Sequence, residues 1–122
     1  ENISFYFQQS ESALSKAELE KIPQLISHIK QLEQQASNLQ IEGQQIILIG
    51  FADKSGTSYG KKLVSQKRAE TIRSILISNS ISSNIIVAWG IGHVDQQFVP
   101  ITTQRRVTIQ IVPGQYISKN EP

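Results

Sequence analysis

The chain has 122 residues, of which 39% are hydrophobic and 18% charged, and its formal net charge is +2. This length suits one domain with a real core, and so small a charge gives no argument for nucleic-acid binding. The absence of cysteine excludes disulfides and thiolate chemistry, and no apolar stretch approaches the ~20 residues needed to cross a bilayer. The first residue is Glu1 rather than Met, so we expect a fragment or a processed form. Any membrane association would then depend on a segment outside this chain.

The first third of the chain predicts a strand and a helix. Ile3, Phe5 and Phe7 alternate with other residues, which is typical of a strand with one buried face. Ser15 followed by Glu18 indicates a capping box, and apolar residues then recur at helical spacing from residue 22 to residue 39. A proline, Pro23, lies within this pattern. Either the helix kinks near residue 19 or its regular part begins with Pro23 in the first turn, and we favour one kinked helix.

The middle of the chain predicts a buried strand, a turn and a second helix. The apolar run Ile46-Ile47-Leu48-Ile49 ends at Gly50 and indicates a central strand. The sequence Asp53-Lys54-Ser55-Gly56 has turn chemistry, because Asp and Ser side chains accept backbone hydrogen bonds and Gly tolerates positive φ. A helix is predicted from about Tyr59 to Ser78, with a sheet-facing stripe made of Ser65, Ala69, Ile72 and Leu76.

The last third predicts two more strands. The first contains Ile85, Val87 and Trp89, and we expect the indole in the core. A loop is predicted from Gln97 to Thr103, and a final strand contains Val107, Ile109 and Ile111. The predicted domain covers residues 1–114, and residues 115–122 are predicted to form a polar C-terminal tail. The order β-α-β-α-β-β predicts an α+β sandwich, with two main helices packed on one face of a mixed four-stranded sheet.

One pair of charged residues stands out as candidate chemistry. Asp53 follows the central strand, and Arg68 lies fifteen residues later on the next helix, so both side chains can face one pocket. The alternatives are that Asp53 only bonds its own turn and that Arg68 is only its internal partner. His93 near Asp95 could form an acid–base pair, but nothing supplies a nucleophile or an oxyanion hole. We therefore expect no enzyme, no cofactor and, with two His and no Cys, no metal site.

These residues resemble the OmpA-like, peptidoglycan-associated domain found in envelope lipoproteins and flagellar stator B subunits. The likeness covers nearly the whole chain and has its motifs in the family's order. The matching segments are Phe5-Tyr6-Phe7, Gly50-Phe51-Ala52-Asp53, Gly56, Val64-Ser65-Gln66-Lys67-Arg68-Ala69, Gly90-Ile91-Gly92 and Gln104-Arg105-Arg106-Val107-Thr108-Ile109.

The resemblance implies non-covalent binding of the peptidoglycan stem peptide through its diaminopimelate residue. Asp53 would accept hydrogen bonds from the ammonium of that zwitterion, and Arg68 would hold its carboxylate with a bidentate fork. Such a domain would anchor an envelope protein or complex to the cell wall, in the periplasm of a Gram-negative bacterium and near the outer membrane. The resemblance extends the predicted ligand-binding set to Asp53, Arg68, Ala52, Lys54, Gly56, Lys61 and Arg105.

Several positions depart from the family pattern. Lys61 replaces an Asn that helps to line the pocket in relatives, Ala52 replaces a Thr, Gln104 replaces an Asn and Gln8 replaces an acidic residue. These changes favour an alternative in which the domain is a structural subunit of a secretion or motility assembly, with weakened or lost wall binding. A local basic cluster, which either steers an anionic polymer or is simply a solvated helix face, contains Lys54, Lys61, Lys62, Lys67 and Arg68.

Overall fold

A computed structural model describes residues 3–94 and 99–116. The strands are β1 (Ile3–Tyr6), β2 (Ile41–Glu42), β3 (Gln45–Gly50), β4 (Ile86–Gly90), β5 (Arg106–Val112) and β6 (Gln115–Tyr116). The helices are α1 (Lys16–Leu19), α2 (Ile22–Asn38), α3 (Ser58–Ser78) and α4 (Ile101–Gln104), and a 3-10 turn covers Ser83–Ile85.

The main sheet has four strands in the order β1-β5-β3-β4. β3 pairs with β4 in parallel and with β5 antiparallel, while β1 pairs antiparallel with β5. The sheet is therefore mixed and β3 is central, as the apolar run Ile46–Ile49 predicts. The predicted α+β architecture is confirmed.

A single hydrophobic core lies between the helices and one face of this sheet. α2 contributes Leu25 and Ile29, α3 contributes its stripe of Ser65, Ala69, Ile72 and Leu76, and the sheet contributes Phe5, Leu48, Val107 and Ile109. The stripe predicted for α3 is confirmed, because all four of its residues are fully buried. No helix in residues 3–94 and 99–116 is long and apolar enough to cross a membrane.

The single kinked helix predicted around Pro23 is wrong. The chain forms two helices instead, and α2 begins at Ile22 with the proline in its first turn. Proline has no N–H to donate, and its ring clashes with the carbonyl four residues earlier. The first helix therefore ends at Leu19, and a second helix begins at Ile22. Half of the predicted capping box forms: Ser15 Oγ accepts from Glu18 N, while the Glu18 carboxylate accepts from the Tyr6 amide at 2.6 Å and from Lys21 Nζ at 2.9 Å.

Trp89 was expected in the core and lies outside it, with 62% of its surface exposed. The buried residues of β4 are Ile86 and Gly90, whereas the prediction has Ile85, Val87 and Trp89 on one face, so Trp89 lies on the face away from the helices. Its lateral neighbour there is Ile49 of β3. Because side chains alternate along a strand, a shift of one residue exchanges the two faces.

Two connections also differ from the prediction. Within the predicted loop from Gln97 to Thr103, residues 97 and 98 lie outside the described residues, and a helical turn, α4, begins at Ile101. The start of the predicted polar tail pairs with β2, because Gln115 and Tyr116 lie opposite Glu42 and Ile41. Residues 117–122 of that tail lie outside the described residues.

Candidate functional site

A polar cleft of about 630 Å³ opens at the carboxyl end of β3. Three segments enclose it: the connection after β1, the turn between β3 and α3, and the first half of α3. The connection contributes Gln9, Ser10 and Ser12, the turn contributes Ala52, Asp53 and Gly56, and the helix contributes Lys61, Lys67 and Arg68.

The turn after β3 has the structure that its sequence predicts. Asp53 Oδ1 accepts hydrogen bonds from the backbone N–H of Ser55, at 2.9 Å, and from the Ser55 hydroxyl. Gly56 has a φ of 91°, a left-handed conformation that glycine adopts without strain. Thr57 then caps α3 by accepting a hydrogen bond from Gly60 N at 3.0 Å.

Asp53 is paired with Arg105 rather than with Arg68. Its Oδ2 lies 3.1 Å from Arg105 Nη1, and Arg105 Nε also donates to the carbonyl of Phe7 at 3.0 Å. Burial, which leaves 5% of Asp53 exposed, acts to raise the pKa of its carboxyl. The hydrogen bonds from Ser55 and the hydrogen bond and charge of Arg105 outweigh burial, so the pKa is lowered.

Arg68 is a buried cation without an ion pair among the described residues. Only 1% of it is exposed, and its guanidinium donates to three backbone carbonyls: Glu11 at 2.8 Å, Phe51 at 2.9 Å and Gln8 at 3.1 Å. Burial lowers its pKa, the nearby charge of Asp53 opposes that effect, and the charge of Arg105 adds to it. A guanidinium carries five N–H donors, so one N–H on each terminal nitrogen has no acceptor in the described part of the chain.

Glycines on two strands allow α3, which carries Arg68, to lie close to the sheet. A β-carbon on Gly50 would overlap the backbone oxygen of Ser65, and one on Gly90 would overlap the backbone of Gln66. These two glycines therefore let α3 lie directly against the ends of β3 and β4. Ser65 Oγ accepts from Gly92 N at 2.8 Å and Gln66 Oε1 accepts from Gly90 N at 2.7 Å, which holds the helix in that position.

The structure gathers most of the predicted site residues at this cleft. Ala52, Asp53, Gly56, Lys61 and Arg68 line it. Arg105 does not line the cleft, but it forms an ion pair with Asp53, which does. The side chain of Arg105 is 12% exposed. Lys54 is exposed and is not among the residues that line the cleft, but its carbonyl lies 3.5 Å from the ammonium of Lys61.

Part of the cleft wall was not predicted from the sequence. The residues missed at the N-cap and on α3 are Thr57, Gly60, Leu63 and Val64, most of which share a helical face with Lys61 and Arg68, so helical periodicity could have indicated them. Lys67, which is predicted only as a member of the basic cluster, also lines the cleft. The missed residues of the connection after β1 are Gln9, Ser10 and Ser12. Ser10 in this connection adopts a positive φ of 62°. No local pattern in the sequence predicts that the connection lies against α3.

The remaining candidates behave as structural residues. Gln104 is buried, its Nε2 donates to the carbonyl of Val99 at 3.1 Å, and its Oε1 has no partner in the described part of the chain. His93 Nδ1 lies 3.4 Å from the carbonyl of Ala52, while Asp95, its suggested acid–base partner, lies outside the described residues. Within residues 3–94 and 99–116, no group of three or more His, Asp or Glu side chains could hold a metal ion.

Comparison with known families identifies the chain. The sequence model of the OmpA family matches residues 6–108, which covers most of the domain and every element that forms the cleft. The chain belongs to the OmpA family. The proteins that it resembles include outer-membrane and periplasmic proteins.

Two curated relatives are outer membrane protein A from Salmonella typhi, 36% identical over 64 residues, and outer membrane protein A from Citrobacter freundii, 34% identical over 64 residues. The aligned segment is 52% of this chain, but it is 18% of the Salmonella protein and 27% of the Citrobacter protein. The chain therefore spans a minor part of the length of these relatives.

Solved structures share the fold at low identity. The peptidoglycan-associated lipoprotein from Burkholderia pseudomallei superposes with a TM-score of 0.70 at 20% identity, covering 88% of each chain. The periplasmic domain of Helicobacter pylori MotB (residues 78–256) superposes with a TM-score of 0.71 at 15% identity, covering 92% of this chain and 75% of its own.

Proposed function

We propose that this domain binds the diaminopimelate-containing stem peptide of peptidoglycan without chemical conversion, and thereby anchors an envelope protein or complex to the cell wall. The observation that carries this proposal is Arg68. Its charge is buried, has no ion-pair partner in the described residues, and keeps two N–H groups available beside a polar cleft. Burying a cation is costly, and an anionic ligand that enters the cleft would repay part of that cost.

The chemistry of the cleft matches an amino-acid zwitterion. The free end of diaminopimelate carries one carboxylate and one ammonium. Arg68 can hold the carboxylate with its two remaining donors, one on each terminal nitrogen. A carboxylate offers about four lone-pair positions, and Ser55 and Arg105 occupy three of those on Asp53. The fourth position and the charge of Asp53 are available to the ammonium.

Family membership supports both the ligand and the location. The Burkholderia relative is named as a peptidoglycan-associated lipoprotein, and other relatives are outer-membrane or periplasmic proteins. We propose the same setting here: the periplasm of a Gram-negative bacterium, close to the outer membrane. Binding alone requires no nucleophile or general base, so the proposed activity is not enzymatic.

Competition on the unaltered protein tests this proposal. The protein is incubated with purified, protein-free sacculi of the diaminopimelate type and sedimented in the presence of a stem tetrapeptide that has either diaminopimelate or lysine at its third position. Within a peptide the α-amino and α-carboxyl groups of lysine are both in amide bonds, so the lysine peptide lacks the side-chain carboxylate assigned to Arg68. We expect the protein to sediment with the sacculi, the diaminopimelate peptide to release it, and the lysine peptide to fail at the same concentration. Equal release by both would contradict the role of Arg68.

A second candidate function is a scaffold that contacts other proteins of an envelope assembly. It is favoured by the sheet face opposite the helices of the described residues, where Trp89 and Ile91 are 62% and 42% exposed. Exposed apolar patches of this kind often mark protein–protein contacts. The changes at Ala52, Lys61 and Gln104 point the same way. A folded protein that does not sediment with sacculi at all would favour this function over wall binding.

A further inference from the structure

The cleft is longer than a diaminopimelate side chain requires. Along α3 its wall includes Thr57, Gly60, Lys61, Val64, Lys67 and Arg68. With a rise of 1.5 Å per residue, the eleven steps from Thr57 to Arg68 extend for roughly 16 Å. Arg68 lies at one end, beside Phe51, and the N-terminus of the helix lies at the other. A bound zwitterion would occupy the end near Arg68 and leave the rest of the groove to neighbouring parts of the ligand.

The groove also carries more positive charge than a zwitterion balances. Lys61, Lys67 and Arg68 face it, whereas its lining contains one acidic residue, Asp53, which already pairs with Arg105. The first turn of α3 has no acidic residue, so the positive end of the helix dipole adds to this excess. A neutral ligand would leave the two lysines without a counter-charge.

Lys61 is placed to meet a second anion. It is half-buried, and its hydrogen bond to the Lys54 carbonyl is long, at 3.5 Å, so its ammonium donors are largely free for a ligand. It lies seven residues before Arg68 on the same helical face, which corresponds to roughly 10 Å along the axis. That distance separates it from the carboxylate held by Arg68 and matches two to three residues of an extended chain.

We infer that Lys61 binds a second carboxylate of the stem peptide, so that the site prefers stem peptides whose carboxyl groups are free to those in which they are amidated. This inference rests on the proposed function. A stem peptide supplies such a group from two sources. One is the α-carboxylate of the γ-linked glutamate before diaminopimelate, and the other is the terminal carboxylate of the alanine after it.

Synthetic stem tetrapeptides distinguish the two sources. One peptide has both carboxylates free, a second carries the amide at the glutamate, and a third carries the amide at the C-terminus. Affinities are measured by calorimetry for the parent, Lys61→Gln, Lys67→Gln and Lys62→Gln. Lys62 is the matched control, because it lies next to Lys61 on α3, is exposed and does not line the groove. Its replacement removes the same charge from the protein.

We expect the parent to bind one of the two amidated peptides at least ~3-fold more weakly than the free acid, as the loss of a partly exposed ion pair predicts. Lys61→Gln should remove that preference, and Lys62→Gln and Lys67→Gln should keep it, because Lys67 lies beside Arg68 at the other end of the groove. Equal affinity of the parent for all three peptides overturns the inference while leaving the proposed function intact. An equal loss for all peptides in all three variants also overturns it, because the lysines would then act only as a general positive field. Failure of the folded parent to bind any peptide overturns the proposed function itself.

Discussion

Asp53 and Arg105 form an ion pair across 52 residues of sequence, with 3.1 Å between Oδ2 and Nη1. The pair joins the turn after β3 to the start of β5, and Arg105 also holds the carbonyl of Phe7. The carboxylate is thereby fixed at the cleft before any ligand arrives. Arg68, freed from a direct ion pair with Asp53, keeps donors for a ligand. Asp53 and Arg68 therefore each bond to the fold itself, in addition to the ligand contacts proposed for them.

The Asp53 carboxylate should make stability depend on pH in the acid range. Its pKa is lowered from the ordinary value of 3.8, so the ionised form stabilises the folded state. That contribution is complete above about pH 3.8 and disappears as the pH falls through the lowered value. In urea unfolding followed by circular dichroism, Asp53→Asn should lose about 2 kcal/mol at pH 7 and show a smaller further loss on acidification than the parent. Glu42→Gln, at an exposed carboxylate, is the control. If Asp53→Asn and the parent lost the same stability on acidification, the lowered pKa of Asp53 would be contradicted.

Arg68 should support the fold as well as the ligand. Arg68→Met removes a costly buried charge, but it leaves the carbonyls of Glu11 and Phe51 without a donor, while the Gln8 carbonyl keeps the Glu11 amide. Because each buried unpaired carbonyl costs about 1–3 kcal/mol, we expect a net loss of at least about 2 kcal/mol in unfolding free energy. Arg73→Met on the same helix should change stability by less than about 0.5 kcal/mol. Greater stability of Arg68→Met would mean that the buried arginine costs the fold stability and is kept for the ligand alone.

Gln66 should protect the free edge of the sheet. β4 is an edge strand, and the Gln66 side chain accepts from Gly90 N at 2.7 Å and donates to the Ala88 carbonyl at 3.3 Å. Its amide thus takes the place of a neighbouring strand's peptide group. We expect Gln66→Ala to lose about 1–2 kcal/mol of stability and to self-associate as concentration rises, measured by analytical ultracentrifugation. Gln31→Ala, at an exposed position on α2, is the comparison and should stay monodisperse at the concentrations where the parent does.

The exposed position of Trp89 predicts a small effect of replacing it. Trp89→Thr keeps a residue suited to a strand and should change the unfolding free energy by less than about 1 kcal/mol. Leu48→Ala, at a fully buried position on the adjacent strand, should cost about 2–5 kcal/mol. Thermal and urea unfolding of both variants measure these changes in unfolding free energy. A cost for Trp89→Thr as large as that for Leu48→Ala would place the indole in the core.

Local patterns in the sequence were sufficient for most of the fold. The apolar run before Gly50 predicts the central strand, and helical spacing from Ser65 to Leu76 predicts the buried face of α3. Both signals are local, because a strand and a helix each impose one repeat on their own side chains. The turn at Asp53 follows equally from short-range chemistry, since its carboxylate bonds a residue only two positions away.

Long-range packing decided the rest. The sequence by itself determined the order of the main strands and helices, the turn and the presence of a carboxylate and a guanidinium near one pocket. Only the tertiary structure decided that Asp53 pairs with Arg105, that Gln9–Ser12 closes the cleft, and that Trp89 lies on the open face. Each of these depends on contacts between segments far apart in sequence or on the register of one strand, and neither leaves a repeating signal in the local chain.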